Sequence, residues 1–177
     1  MELMEGLLTR RSIRKYQDKP IERETMMEII KAAQYSPTAH NRQPWEFLVI
    51  DDREFLAELR HIQRWTSFAK DAACVVIVCG DTEKSFSRSK EDEKWTFIDV
   101  DCAIATENLM LAAHASGLGS CWINRAKEEF ETEEGKALLK KWGIEGNYIG
   151  VGHCILGYPA EEPRPAAPRK PDYIVYA

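Results

Sequence analysis

The segment TRRSIRKY, residues 9–16, places three arginines around Ser12 within five positions of an otherwise acidic chain. An arginine guanidinium can donate two parallel hydrogen bonds to phosphate oxygens, and a serine hydroxyl adds another donor. If this segment is helical, Arg10 and Arg14 lie on one face, because they are four residues apart. The pattern predicts a phosphate-binding site. Composition leaves one alternative open, a solvated basic patch or ion pairs with nearby glutamates.

A second segment whose side chains could line a site is SPTAHNRQPWEF, residues 36–47. It joins a proline, small hydroxyl side chains, two amides, an arginine and a tryptophan immediately ahead of an apolar run. Most connections rely on a few turn-forming residue types. The crowding here therefore has two interpretations, an unusually dense turn or the lining of a binding site. A further basic cluster, PRKP at residues 168–171, would by itself supply only solubilising charge.

The elements that position these segments belong to a chain of 177 residues, long enough for one domain with its own core. Hydrophobic residues make up 44% and charged residues 30%, which is typical of a folded globular protein and argues against disorder. The formal net charge of -5 gives no general attraction to nucleic acid or to an anionic membrane, so neither partner is expected.

The sequence also predicts a cellular compartment. The N-terminus shows no secretory signal pattern, and no stretch approaches the ~18 consecutive apolar residues of a membrane-spanning helix. The five cysteines form no CxxC pair, which predicts reduced thiols. We therefore expect a cytoplasmic protein.

Hydrophobic periodicity predicts interspersed helices and strands in an α+β fold, a sheet layered with helices. Apolar residues recur at helical spacing between positions 22 and 36, and Pro37 ends that helix. Residues 97–116 are almost entirely apolar after the first turns, which predicts a buried helix that stops at Gly117. The other predicted elements are strands at 46–51, 73–80, 119–123 and 148–158 and helices at 53–64 and 133–142.

The C-terminal tail, residues 159–177, contains five prolines before the strand-like sequence YIVYA. A proline-rich chain is extended, so residues 159–171 could span ~40 Å. That length could carry YIVYA across the body at residues 1–158 and onto a neighbouring molecule, and a disordered terminus is the alternative. Docking is favoured because these apolar side chains are costly to leave in water.

Four motifs occur in order along the chain: RRSIRKY, SPTAHNRQPWEFLVI, ENLMLAAHASGLGSCWI and ILGYPAEEPRP…PRKP. Together they resemble the short, single-domain form of the nitroreductase family of FMN-dependent oxidoreductases, over about residues 7–173. The resemblance implies a homodimer with a central, mostly antiparallel sheet flanked by helices. It also implies two FMN molecules at the subunit interface, a C-terminal strand exchanged between subunits, and burial of the helix at 97–116 at that interface.

The resemblance further implies which residues contact FMN. The segment at residues 9–16, named the arginine–serine segment, would hold the phosphate together with the basic residues of the tail. The loop at 36–43 would line the flavin from the other subunit, the strand at 119–123 would offer backbone groups to the ring, and a glycine turn would lie nearby. Trp45 would pack in the core. The implied cofactor contacts are Arg10, Arg11, Ser12, Arg14, Pro37, Thr38, Ala39, Asn41, Gln43, Cys121, Trp122, Ile123, Gly157, Arg169 and Lys170, of which Asn41 and Gln43 could instead hold the loop.

The sequence departs from the family pattern in three places. Asn124 follows GSCWI where many relatives have glycine. The polar residue expected near the pyrimidine end of the flavin has no clear equivalent, and Lys70 is the available candidate. Longer members carry a helical insertion over the substrate, whereas here residues 85–95 are the candidate cover, so we expect an open, permissive site.

The implied activity is hydride transfer from NAD(P)H to FMN, followed by reduction of a nitroaromatic, quinone or similar electron-poor acceptor in a ping-pong mechanism. No catalytic side chain is required, although His40 could face the acceptor. The alternative is a flavin-binding sensor, storage or docking module without significant turnover. The sequence does not choose the natural acceptor, the class of flavin chemistry, or NADH over NADPH.

Other kinds of site are not expected. No histidine has a partner at metal-ligand spacing, and His114 and His153 are predicted to be core residues. The glycine-rich stretches GLGS and GVGHCILG do not match the dinucleotide-binding fingerprint, so NAD(P)H would bind only transiently over the flavin. Cys121 is expected to be an inert buried thiol.

Overall fold

Helices and strands are interspersed along the chain, as its hydrophobic periodicity predicts. The structure is a computed structural model and describes residues 1–62, 71–87 and 96–176. Single 3₁₀ turns cover Ala39–Asn41 and Pro171–Tyr173. The helices are α1 (Leu3–Thr9), α2 (Arg23–Gln34), α3 (Arg53–Ile62), α4 (Ile98–Ala115), α5 (Ala126–Phe130) and α6 (Glu133–Lys141), and the strands are β1 (Trp45–Ile50), β2 (Cys74–Asp81), β3 (Gly119–Ile123) and β4 (Tyr148–Gly157).

The described strands form an antiparallel sheet in the order β1-β2-β4-β3. β2 and β4 lie in the centre, and every residue of β2 is buried. Burial on both faces explains why residues 73–80 form a continuous apolar run instead of an alternating one. The predicted α+β architecture and its mostly antiparallel sheet are confirmed.

Side chains of β2 alternate between two hydrophobic cores, one on each face of the sheet. Val76 and Val78 belong to the core that also contains Ile29 of α2 and Leu109 of α4. The next residues along the strand point to the opposite face, where α3, α5 and α6 supply the core partners. That second core includes Val75, Ile77, Leu56, Leu59, Phe130, Leu139 and Ile155.

Helix α4 is the most apolar helix of the layer that it shares with α2, and it ends in a Schellman motif. Gly117 has a φ of 77°, and its N–H donates to the carbonyl of His114 at 3.0 Å. The N–H of Leu118 donates to the carbonyl of Ala113 at 2.9 Å. Glycine adopts this left-handed conformation without steric cost, which confirms the predicted stop. The buried residues of α4 are Ile98, Asp101, Cys102, Ala105, Thr106, Leu109, Met110 and Ala113.

An apolar surface remains on the outer sides of α1, α2 and α4. Two apolar side chains of α4 face solvent: Val100 is 53% exposed and Ile104 is 38% exposed. Single exposed apolar side chains are ordinary, but a set this large on packed neighbouring helices suits a protein interface. The other exposed members are Leu3, Met4, Leu7, Leu8, Met27 and Tyr35.

Neither membrane-spanning nor metal-binding features emerge in the described part of the chain. No helix there is both long and apolar enough to cross a bilayer. Within the same residues, no group of three or more His, Cys, Asp or Glu side chains is placed to hold a metal ion. The five cysteines are free and buried, and burial raises the pKa of Cys79 and Cys102 to about 12, so these two thiols stay neutral.

A buried polar pair connects β4 to α5. The ring of His153 is fully buried, and its Nε2 lies 2.5 Å from Oε2 of Glu129. His153 is therefore a core residue with a hydrogen-bond partner, as predicted. His114, by contrast, is only partly buried, because it lies near the end of α4 and contacts Thr9 of α1.

Replacing Glu129 with alanine is expected to lower the free energy of unfolding by about 3 kcal/mol, because it leaves the His153 ring buried without its partner. Urea denaturation measures the change. Glu128 is the matched control, because it pairs with Arg125 at the surface, where an ion pair contributes only about 0–1 kcal/mol. Equal losses from the two alanine variants would show that the buried pair does not stabilise the fold.

Candidate functional site

The arginine–serine segment leaves α1 as extended chain and runs along the outer edge of β3. Ser12 forms a parallel bridge with Ser120, and the N–H of Ile13 donates to the carbonyl of Ser120 at 2.9 Å. The segment is therefore not helical, and the condition under which Arg10 and Arg14 would share a helical face is not met. In extended chain, neighbouring side chains point opposite ways, so Ile13 enters the core while Ser12 and Arg14 stay exposed.

Two glycines opposite each other on β3 and β4 allow this segment to approach the sheet. A Cβ on Gly119 would lie 2.8 Å from Cβ of Ile13, and a Cβ on Gly157 would lie 2.7 Å from Cδ1 of Tyr16. The expected turn at Gly157 is wrong, because this residue is the last of β4. The structure explains the glycine by the close packing of Tyr16, and a contact between Gly157 and FMN stays a prediction.

The guanidinium groups of Arg10 and Arg11 are both held by neighbouring groups. Nε of Arg10 lies 3.4 Å from Oε1 of Glu107 on α4, and the Arg10 side chain is 24% exposed. Nη1 of Arg11 donates to the carbonyls of Leu8 and Arg10 at 2.9 and 2.6 Å, at the C-terminal end of α1. The ion-pair alternative is thus correct for Arg10, but this pairing also fixes the direction of its guanidinium. Arg11 stabilises the helix end.

A cavity of about 270 Å³ opens between the end of α1, the end of α4 and the start of β3. Its lining combines Arg10, Arg11 and His114 with Ser120 and Pro159. Nε2 of His114 lies 2.9 Å from Oγ1 of Thr9. Desolvation and the nearby Arg10 charge lower the pKa of His114, so its ring is neutral at physiological pH and the arginines supply the positive charge.

This donor set fits the phosphate of a mononucleotide. Two guanidinium groups line one cavity and provide charge-assisted donors for phosphate oxygens, and Ser12 is exposed on the same segment. The cavity is smaller than the roughly 300–1,000 Å³ of a pocket that holds a whole small ligand. The rest of an FMN molecule would therefore lie outside this cavity, along the edge of β3.

The edge of β3 presents backbone groups that could meet a flavin ring. Because the Ser120 carbonyl bonds outward to Ile13, the backbone of Trp122, two residues on, also points away from β4. The side chains of Cys121 and Ile123 are buried in the core. The predicted backbone role of this strand thus has suitable geometry, whereas a catalytic thiol at Cys121 has none. Asn124 follows the strand and lines a neighbouring surface pocket with Trp122.

The loop that opens with Ser36 is a tightly hydrogen-bonded structure. The hydroxyl of Thr38 accepts from the N–H of Gln43 at 3.1 Å, and Nε2 of Gln43 donates to Oδ1 of Asn41 at 3.0 Å. Asn41 and Gln43 therefore hold the loop in this chain, one of the two roles predicted for them. Pro37 is exposed and Trp45 is partly buried against the α2–α4 core.

Three further residues at this loop were not found from the sequence. Phe86 stacks against His40 with ring centroids 4.0 Å apart. Asp101 of α4 accepts a hydrogen bond from the backbone of Ala39, and Asn108 of α4 donates to Ser36. For Asp101 and Asn108, the signal available was a polar side chain in a helix that is largely apolar. Lys70 and residues 88–95 of the expected substrate cover lie outside the described residues.

Comparison with known proteins decides the family. The sequence profile of the Nitroreductase family matches residues 7–67 and 61–158. The chain belongs to the nitroreductase family. A candidate NADH dehydrogenase/NAD(P)H nitroreductase of Methanothermobacter thermautotrophicus is 36% identical over 92% of this chain and 80% of the relative. One of Archaeoglobus fulgidus is 37% identical over 91% of this chain and 87% of the relative.

A solved structure shows the same nitroreductase fold. The crystal structure of a nitroreductase with bound FMN from Bacteroides fragilis has a TM-score of 0.83 and 26% identity, covering 100% of this chain and 99% of that one. A second complex with FMN, from Desulfovibrio desulfuricans, has a TM-score of 0.77 at 25% identity, covering 97% and 93% of the two chains.

The tail of this nitroreductase-family chain stays against the body as far as Pro163, which lines the cavity of Arg10 and Arg11. The N–H of Ala160 donates to the carbonyl of Lys15 at 3.0 Å, and Oε1 of Glu161 accepts from the N–H of Arg14 at 3.4 Å. Beyond this point Arg169 and Lys170 are exposed in the single chain. Their predicted return to a phosphate, the division at residue 158 and the exchanged strand all stay predictions.

Proposed function

We propose that this protein is an FMN-dependent oxidoreductase that takes hydride from NAD(P)H and reduces nitroaromatic, quinone or similar electron-poor acceptors by a ping-pong mechanism. The observation that carries the proposal is the fastening of the arginine–serine segment along the outer edge of β3. It places Arg10 and Ser12 along the same sheet edge to which the backbone of Trp122 is directed. The relatives solved with FMN support the same cofactor here.

In this proposal the protein's side chains and backbone bind FMN and orient its ring. The chemistry supplied by FMN, when bound, is acceptance of hydride from a nicotinamide and its delivery to an acceptor. Arg10 and Ser12 would hold the phosphate, with Arg14 directed to the same exposed edge. The backbone of Trp122 would orient the ring at its reacting edge. Since positioning and preorganised donors account for this role, no side chain has to act as a general base or nucleophile.

We also propose that the working unit is a homodimer. The phosphate cavity holds only part of a mononucleotide, so a second surface is needed to enclose the flavin. The apolar surface of α1, α2 and α4 is suited to that contact, because burial there removes exposed leucine, methionine and valine side chains from water. The 36–43 loop would then line the flavin held by the other subunit. A cytoplasmic location stays a prediction.

The test is reduction of the purified protein under anaerobic conditions. Its visible spectrum, before and after adding FMN, reports whether the flavin binds. Stepwise addition of NADH or NADPH should bleach the bound flavin, and a quinone or a nitroaromatic added afterwards should restore its colour. Steady-state rates at several fixed acceptor concentrations should give parallel lines in double-reciprocal plots, which is the pattern of ping-pong turnover.

Two outcomes would change the assignment. Protein that binds no flavin at any concentration contradicts the proposal as a whole. Protein that binds flavin but is bleached by neither nicotinamide would instead favour a flavin-binding sensor, storage or docking module.

A further inference from the structure

The loop after α2 contains unusual backbone conformations. His40, Asn41 and Gln43 have φ angles of 53°, 52° and 50°. Asparagine and histidine occur in this left-handed region more often than most residue types, but glutamine is disfavoured there because its Cβ crowds the backbone. Such strain persists only where neighbouring contacts enforce it, and it concentrates at functional sites. The loop therefore depends on whatever fixes its ends.

Helix α4 fixes this loop at two points. Oδ1 of Asp101 accepts a hydrogen bond from the N–H of Ala39 at 3.0 Å, and Nδ2 of Asn108 donates to Oγ of Ser36 at 2.8 Å. Asp101 and Asn108 are seven residues apart, two helical turns, so they lie on the same side of α4. One rigid helix thus sets the position of the strained loop relative to the core.

Burying the carboxylate of Asp101 is energetically unfavourable, so packing alone does not account for this residue. Its side chain lies inside the α2–α4 layer with 2% of the residue exposed, and its Oδ2 has no hydrogen-bond partner among the described residues. A buried carboxylate with a single hydrogen bond has lost most of its hydration, and this burial raises its pKa. The residue contributes one specific contact, the bond to Ala39.

We propose that Asp101 is a positioning residue that holds the loop at residues 39–43 in its strained form and thereby shapes the acceptor site over the flavin. The inference rests on the proposed function, in which this loop lines the flavin of the other subunit. His40 is the loop residue most affected, because its ring reaches across to stack on Phe86. Without the hydrogen bond between Ala39 and Asp101, the His40 ring is no longer held in position over the site. The phosphate cavity stays unchanged.

Two variants distinguish the effect of the hydrogen bond to Ala39 from the effect of the negative charge on Asp101. Asp101→Ala removes the acceptor, whereas Asp101→Asn keeps an oxygen for the N–H of Ala39 and removes the charge. Asp99→Ala is the matched control, because Asp99 lies in the same turn of α4 and is exposed. If the alanine variant fails to fold, Asp101→Ser serves instead, since its side chain is too short to reach Ala39.

The first measurement is tryptic cleavage after the exposed Arg42, followed by mass spectrometry of the fragments that begin at Gln43. It is made on the purified full-length protein and requires no activity. Asp101→Ala should be cut about tenfold faster than the natural protein, as expected for loss of one buried hydrogen bond. The Asp101→Asn and Asp99→Ala proteins should stay within about twofold of the natural protein. Equal rates in all four proteins overturn the proposal.

The second measurement is steady-state reduction of a benzoquinone. Asp101→Ala should raise the KM for the quinone about tenfold and leave the Kd for FMN within about twofold. An Asp101→Asn protein as defective as Asp101→Ala would overturn the proposal, because the charge would then matter more than the contact. Absence of turnover in the natural protein would contradict the proposed function instead, and the cleavage rates would still decide whether Asp101 holds the loop.

Discussion

Replacing Arg10 with alanine is expected to weaken FMN binding about 100-fold and to leave riboflavin binding within about twofold. FMN and riboflavin differ only in the phosphate. A guanidinium that binds the phosphate therefore affects one ligand and not the other. Two charge-assisted hydrogen bonds contribute roughly 3 kcal/mol or more together, which corresponds to that factor. Fluorescence titration of the apoprotein measures both dissociation constants.

The effect should be large at Arg10 because its side chain is already ordered. The pairing with Glu107, at 3.4 Å, holds the guanidinium beside the cavity, so little side-chain entropy is lost when phosphate binds. Arg10→Lys should recover only part of the affinity, since an ammonium cannot donate two parallel bonds to phosphate. Loss of Glu107 should also weaken FMN binding, by less than loss of Arg10 itself.

Arg53 provides the control for general charge effects. Its exposed guanidinium pairs with Asp18, so Arg53→Ala removes the same charge and should leave both flavins unaffected. An equal loss of riboflavin and FMN in Arg10→Ala would indicate a disturbed fold. Unchanged FMN binding would show that the phosphate is not held here.

The local sequence pattern was sufficient to predict the helices and strands of the core. The run at 73–80 became a strand buried on both faces, and the apolar stretch at 97–116 became α4. Gly117 ended that helix with the left-handed conformation expected of it. These features depend on hydrophobicity and on glycine, which act over a few neighbouring residues.

The local sequence pattern was not sufficient to predict the conformation of the arginine–serine segment. Residues 10 and 14 are spaced for a helix, yet the chain there is extended. Its conformation is determined by Ser120 and by the space above Gly119 and Gly157, which are distant in sequence. Nothing within the segment itself encodes those partners. A tertiary contact therefore overrode the spacing.

The loop at 36–43 shows the same limit. Its polar composition indicated a site, but the left-handed conformation at Gln43 has no local signal, because glutamine does not favour it. Asp101 was visible as a carboxylate in an apolar helix. Its partner, Ala39, could be identified only after α4 had been placed beside the loop.

Removing residues 162–177 is expected to convert the proposed dimer into a monomer that loses FMN on gel filtration. In the single chain Ile174, Val175 and Tyr176 are 71%, 87% and 93% exposed, which is costly for side chains of this size. Full burial of each against a second subunit would contribute about 1.5–3 kcal/mol. Light scattering coupled to size-exclusion chromatography measures the mass, and flavin absorbance across the same peak measures retention.

Two further variants distinguish the roles of the tail. Ile174→Ser with Val175→Ser should weaken dimerisation and keep the basic residues. Arg169→Ala with Lys170→Ala should keep the dimer and weaken FMN binding, with riboflavin again unaffected, if these side chains reach the phosphate. A truncated protein that remains dimeric and yellow would show that the apolar surface of α1, α2 and α4 holds the subunits together alone. The exposed tail would then be a disordered terminus, because neither assembly nor cofactor binding would require it.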